Sequence, residues 1–245
     1  MPAVPFAAVS DGPITSIHNP RGGLAWWVYV GGMGLAGVGG FVNVVMLLGT
    51  GRAVSHLTGS ASTWASDLVT GEHSAELAIL AVLIASFFVG AALSGLIVGE
   101  SSLRPGRRYG LALVVEGLLL TLAAGLIGRV SLLPIWLAAM AMGLQNALAT
   151  SYRQLVLRTT HVTGLVTDIG LMVGHALRHD RVPNWKMALL LALLFGYVGG
   201  AGVGALAFKL MALRALWIVA VGTSASGLGY FVWRARRAHS LWREV

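Results

Sequence analysis

The chain reads as an all-α integral membrane protein. About six transmembrane helices form two inverted three-helix repeats, each with a short broken or re-entrant segment after a His-x-Thr-Gly motif. Three observations lead there: an oily composition, apolar runs of span length, and a phrase that returns. Of 245 residues, 56% are hydrophobic and 11% charged, with mean hydropathy +0.79. That is too little polar side chain to cover a water-soluble globule of this size. A membrane-crossing helix needs roughly 20 mainly apolar residues, and six stretches meet or approach that length: about 24–48, 76–99, 109–128, 132–151, 187–208 and 212–233. The phrase "SHLTGSAS" at 55–62 comes back as "THVTGLVT" at 160–167.

Residues 1–23 read as a mobile tail. They hold four of the seven prolines and lack a basic stretch ahead of an apolar one, so no cleaved signal peptide is expected. Pro105, Pro134 and Pro183 fall in loops or at helix starts, where the missing N–H costs little. With the amino terminus inside, thirteen of the seventeen Lys and Arg lie on the inner side, so both termini are expected to be cytoplasmic. Trp26, Trp27, Trp136, Trp185 and Trp233 sit near span ends, as headgroup anchors do.

His56, Thr58 and Gly59 recur as His161, Thr163 and Gly164, each 105 positions on, and "GFVN" at 40–43 returns as "GLQN" at 143–146. These landmarks divide the chain into a first repeat over 24–129, a second over 130–237 and a short cytoplasmic tail at 238–245. Three spans per unit is an odd number, so the second copy enters the membrane upside down. Were 57–71 and 162–177 themselves to cross, the count would be eight and the repeat parallel.

Thr58 and Thr163 read as N-caps of short helices, with Gly59 and Gly164 allowing close backbone approach. A half-helix starting at the midplane points its positive end at a polar or anionic solute; a surface loop capping an interfacial helix is the bland alternative. Asn43, Gln145 and Asn146 are polar groups inside spans, suited to joining helices or to binding a ligand. Glu116, in the middle of the third span, and Asp168 are candidates for proton or ion coupling, while Asp67 and Asp168 also read as solvated helix-face acids. His175 and His179 stand one turn apart, but no third ligand accompanies them and no metal is expected. Cysteine is absent. No phosphate loop, nucleophile elbow or catalytic carboxylate pair is present, so neither an enzyme nor a cofactor is expected. The basic residues lack the aromatic interleaving that grips nucleic acid, and the expected partner is the lipid bilayer. Small residues four apart, such as Gly32, Ala36 and Gly40 or Gly196, Gly200 and Gly204, suit tight packing inside one bundle, with a homodimer contact as the alternative.

"GFVNVVMLL" with "AVSHLTGSAS", and "AMGLQNALATSY" with "LRTTHVTGLVTDIG", resemble the YoaK-like family of small bacterial membrane proteins over about 24–235. Ser60 stands where that family's motif has Asn, and its acidic residue near Asn43 is missing. The resemblance implies a multi-span protein of the bacterial inner membrane with no agreed substrate. Together these readings lead us to expect a small secondary transporter or permease for a small polar or anionic solute. Its site would lie at the midplane among His56, Thr58, Gly59, His161, Thr163, Gly164, Asn43 and Asn146. The alternative is a non-transporting membrane subunit that binds a protein or lipid through its glycine-rich faces.

Overall fold

A computed structural model describes residues 24–71, 74–98, 107–128, 132–150, 159–180 and 182–241. The expected tails at 1–23 and 238–245 therefore lie wholly or partly outside the described residues. Eight α-helices are formed among the described residues: α1 (Trp26–Thr50), α2 (Leu57–Thr70), α3 (Ser74–Val98), α4 (Arg107–Leu126), α5 (Leu133–Thr150), α6 (Val162–Leu177), α7 (Asn184–Met211) and α8 (Leu216–Leu241). Among the described residues four helical stretches are long and apolar enough to cross a membrane: Trp26–Thr50, Glu76–Val98, Arg108–Leu126 and Asn184–Trp233. The last of these doubles back through the 3-10 turn Ala212–Ala215, which joins α7 to α8. Helices α5 and α6 are apolar but shorter. At 1.5 Å per residue α2 and α6 reach only about 21 and 24 Å, short of the roughly 30 Å hydrocarbon core of a bilayer.

Glycine faces set the main helix crossings, because without a Cβ two backbones come into contact. On α7, Gly196 backs onto Met33, Gly200 onto Gly37 and Gly204 onto Phe41, so α1 and α7 run parallel. In the same way Gly90 meets Met140 and Gly143 meets Phe87 where α3 crosses α5. Leu83 shares a core cluster with Ile135 and Ala138, and Val98 shares one with Leu144 and Leu148, so this pair is parallel too. Gly110 lies against Phe231 and Gly117 against Ser224, which makes α4 and α8 antiparallel. Helix α4 is also antiparallel to α5, for its late residues Leu120 and Ala124 cluster with Ile135 and Ala138, and its early Ala112 with Leu148. One end of the bundle thus carries the starts of α1, α4 and α7 and the ends of α3, α5 and α8. Gly40, Gly196, Gly200 and Gly204 are thus packed inside this chain, whereas Gly222 and Ser226 on α8 stay uncovered. Trp26, Trp27 and Trp233 are exposed at that same end.

Leaving α1 requires a left-handed residue, supplied by Gly51 (φ 73°), whose N–H bonds to Leu47 O. The following loop is tied to the start of α3 by a bidentate Arg52–Glu76 ion pair. The short helices are peripheral: α2 packs on α3, α6 packs on α7, and α2 has no buried residue. Gly143→Ala should therefore lower the thermal midpoint in detergent, at a cost of about 1–3 kcal/mol for forcing a methyl onto the Phe87 carbonyl. Gly59→Ala, with nothing within 4 Å of the added methyl, should be neutral or gain up to about 1 kcal/mol.

Candidate functional site

The chain does not leave the bundle after α1. It turns at Gly51 and runs back inward until its backbone meets Asn43, about two turns before the end of α1. There Asn43 Oδ1 accepts the N–H groups of Val54 and Ser55, each at 3.1 Å, and α2 begins immediately afterwards. Such backbone, extended among apolar helices, is tolerated only when its N–H groups are bonded.

The same construction recurs at Asn146 on α5. Its Oδ1 accepts the Thr160 N–H and the Thr159 hydroxyl, both at 3.3 Å, while its Nδ2 donates to Thr160 Oγ1 at 2.7 Å and Met142 O at 3.1 Å. Gln145 adds a brace, with Nε2 donating to Thr159 Oγ1 at 3.0 Å and across to Leu35 O on α1 at 2.6 Å. The two loops then touch each other, for Thr160 Oγ1 donates to Ser55 O at 3.4 Å. Gly39, near the middle of α1, makes room for this meeting, since a Cβ there would strike the Thr160 methyl. The junction therefore lies at mid-height in the bundle.

His56 and His161 occupy the residue before α2 and α6, and neither helix start carries a side-chain cap. The caps expected at Thr58 and Thr163 are thus corrected: both threonines lie inside the first turn, exposed, because the cap positions fall two residues earlier, at His56 and His161. His56 Nδ1 lies 3.0 Å from Ser55 Oγ and 3.4 Å from the Tyr197 hydroxyl, with the Tyr197 ring edge-on. The side chains of Ser55 and Asn43 are also within hydrogen-bonding reach of that hydroxyl. His161 is exposed and folds back over Gly164, where a Cβ would collide with its ring, and it is close enough for its charge to act on His56. Gly59 makes no close approach, contrary to expectation. The arrangement thus joins two uncapped helix starts, two imidazoles and a buried amide–hydroxyl network, a set that favours a polar or negatively charged group.

The other candidates lie away from this junction. Glu116 is wholly buried in the middle of α4. Asp168 is exposed on α6 and Asp67 half-exposed on α2. His175 pairs with Asp180 at 3.0 Å, and among the described residues no group of three ligands could hold a metal. A cavity of about 620 Å³ opens between α1 and α8, with Trp27 and Tyr230 toward the end bearing the start of α1 and Thr159 on its wall. Sequence reasoning did not single out Ser55, Thr159, Thr160 or Tyr197. The available signal was that Ser55 and Thr160, both hydroxyl residues directly before a His, stand 105 positions apart.

Fold and junction define a class: an all-helical bundle with several helices long and apolar enough to span a membrane, broken by two short helices that begin inside it. The chain belongs to the DUF1275 family, described as a protein of unknown function, whose model matches residues 31–228. No curated protein and no solved structure matches the chain.

The two asparagines differ in what they donate. Asn43→Asp keeps the oxygen that receives Val54 and Ser55 and should retain the fold. Asn146→Asp loses the donor to Thr160 and Met142 and sets a carboxylate against their oxygens, so a cost of about 1–3 kcal/mol is expected. Denaturant midpoints of the two variants in the same detergent check the contrast.

Proposed function

We propose that this chain is a small secondary transporter or permease for a small polar or anionic solute, with no cofactor and no enzymatic step. It would consist of two inverted halves of three membrane crossings, each half containing one half-helix, in a bacterial cytoplasmic membrane with both termini inside. The observation that carries this reading is the meeting of two asparagine-held half-helix starts at the middle of α1. Helix directions support the inverted halves: α1, α3 and α4 alternate in one sense, and α5, α7 and α8 in the opposite sense. The crossings support them as well, since Gly40 against Tyr197 O and Gly143 against Phe87 O are the same contact made twice. A likeness to YoaK-like membrane proteins and the one-sided placing of Lys and Arg point to the same membrane and orientation.

In this reading the solute sits where the positive ends of α2 and α6 converge, between His56 and His161, with Gly59, Gly164, Thr58 and Thr163 on the first turns. Asn43 and Asn146 hold the loops in place. The alternative, a non-transporting subunit, draws support from α2, which touches α3 along one side but has no fully buried residue. It loses the glycine faces of α1, α3 and α7, which the α1–α7 and α3–α5 crossings occupy, and keeps Gly222 and Ser226 on α8.

Proteoliposomes swelling in a panel of small anions and neutral polar solutes test the reading by stopped-flow light scattering. At least one solute should enter faster than in protein-free vesicles. His56→Ala and His161→Ala should each slow that entry about tenfold, the loss expected for about 1.4 kcal/mol of interaction. Single cysteines replacing Ser55 and Thr163 should react with an impermeant thiol reagent from opposite sides of sealed vesicles. Equal swelling with and without protein across the whole panel, or labelling of both from one side, would count against transport.

A further inference from the structure

Two voids lie at opposite ends of the bundle, and they are related by sequence position. The larger, about 620 Å³, is bordered by Gly31, Gly32, Ala149 and Tyr230; the smaller, about 530 Å³, by Pro134, Ile135, Met46 and Ile127. Each residue of the first set stands 103 positions from its counterpart in the second. This is also the spacing between Gly40 and Gly143, which make matching contacts in the two halves. The smaller void is therefore the larger one repeated upside down, in a shallower form: on the α4 side it touches only Ile127 and Gly128, just past the end of that helix, whereas the larger runs along α8 from Tyr230 to Ile218.

Helix packing explains why one is deep and the other shallow. Helices α1 and α8 touch where Phe41, Val42 and Val45 meet Ala215, Leu216 and Val219, and beyond that point they part around the cavity. Their counterparts, α5 and α4, stay together along their whole length, through Leu120 and Ala124 against Ile135 and Ala138 at one end and Ala112 against Leu148 at the other. Val219 borders the open cavity on α8. The residue 103 positions before it is Glu116.

Glu116 is wholly buried, and neither carboxyl oxygen has a hydrogen-bond partner among the described residues. On either side, one turn away, Ala112 and Leu120 share its face and pack against α3 and α5. No charged residue lies on α5 over Leu133–Thr150 or on α8 over 216–233, and the one charged residue of α3, Glu76, is paired with Arg52 at the far end. Tyr109, nearly two turns back on α4, and Tyr230 of α8 are the titratable groups of this region. An ionised carboxylate in such surroundings costs several kcal/mol, so the packed state holds the neutral acid.

We propose that Glu116 is a proton-binding site that opens only to the end of the bundle opposite the large cavity, when α4 and α5 part as α8 and α1 are parted here. The inference rests on the transporter reading above and adds the coupling ion and the side from which it exchanges. Hydration of the counterpart cavity reaches Glu116 at its blind end and lets the carboxyl lose its proton to that side. Repacking of α4 on α5 requires the proton back.

The absence of native cysteine allows a direct test in sealed vesicles of the full chain. Val219→Cys should react with an impermeant thiol reagent from the cavity end, and Glu116→Cys from the opposite end, several-fold more slowly. Leu120→Cys, on the same α4 face, repeats the test should the first variant misfold. In the unmodified protein a membrane-soluble carbodiimide, which attacks neutral carboxyls, should modify Glu116. That modification should slow several-fold when the medium at the opposite end is made alkaline, and not when the cavity-end medium is. Labelling of positions 116 and 219 both from the cavity end, or carbodiimide reaction governed by the cavity-end pH, would overturn the assignment and leave the transporter reading standing. Labelling of neither position 116 nor 120 from either end, with Val219→Cys labelled, would overturn both.

Discussion

Two carboxamide oxygens, on Asn43 and Asn146, make this architecture possible. Each receives a backbone N–H from a segment that has left helical geometry among apolar helices, where an unmet donor would cost about as much as a core cavity. Only because those donors are met can α2 and α6 begin in the middle of the bundle. The helix starts, the imidazoles beside them and the contact between Thr160 and Ser55 all depend on that anchoring.

Close backbone approach has a similar enabling role. The α1–α7 and α3–α5 crossings put glycine against a carbonyl from the facing helix, so these pairs are held by shape complementarity with few interlocking side chains. Interfaces of this kind suit rigid pairs that rock against one another. The α4–α5 and α1–α8 contacts differ in how far they have closed. A wholly buried acid lies behind the closed contact, and an apolar cavity lies at the open one.

Much of this was legible beforehand. Apolar runs located the long helices closely, except that α8 runs on past 233 to Leu241, because a helix that meets lipid all round must be apolar all round. The recurrence of His-x-Thr-Gly located both short helices, and Asn43 and Asn146 stood out as polar groups in spans. The N-cap assignment failed because Thr58 and Thr163 satisfy the usual rule for a helix starting in water, whereas here the approach to each helix is held by an asparagine from another helix. Ser55 and Thr160 looked like flanking residues until the loops were brought together.

By itself, the sequence determined composition, the helical class, the length and order of the helices and the recurrence that pairs them, since each depends on local hydrophobicity and spacing. Tertiary structure alone decided which pairs run parallel, where the two loops meet, that Glu116 is sealed while Val219, 103 positions on, borders a cavity, and that the voids at the two ends differ in depth. Those features arise from contacts between residues far apart in the sequence, such as Met33 with Gly196. No local pattern encodes how far two packed helices have closed.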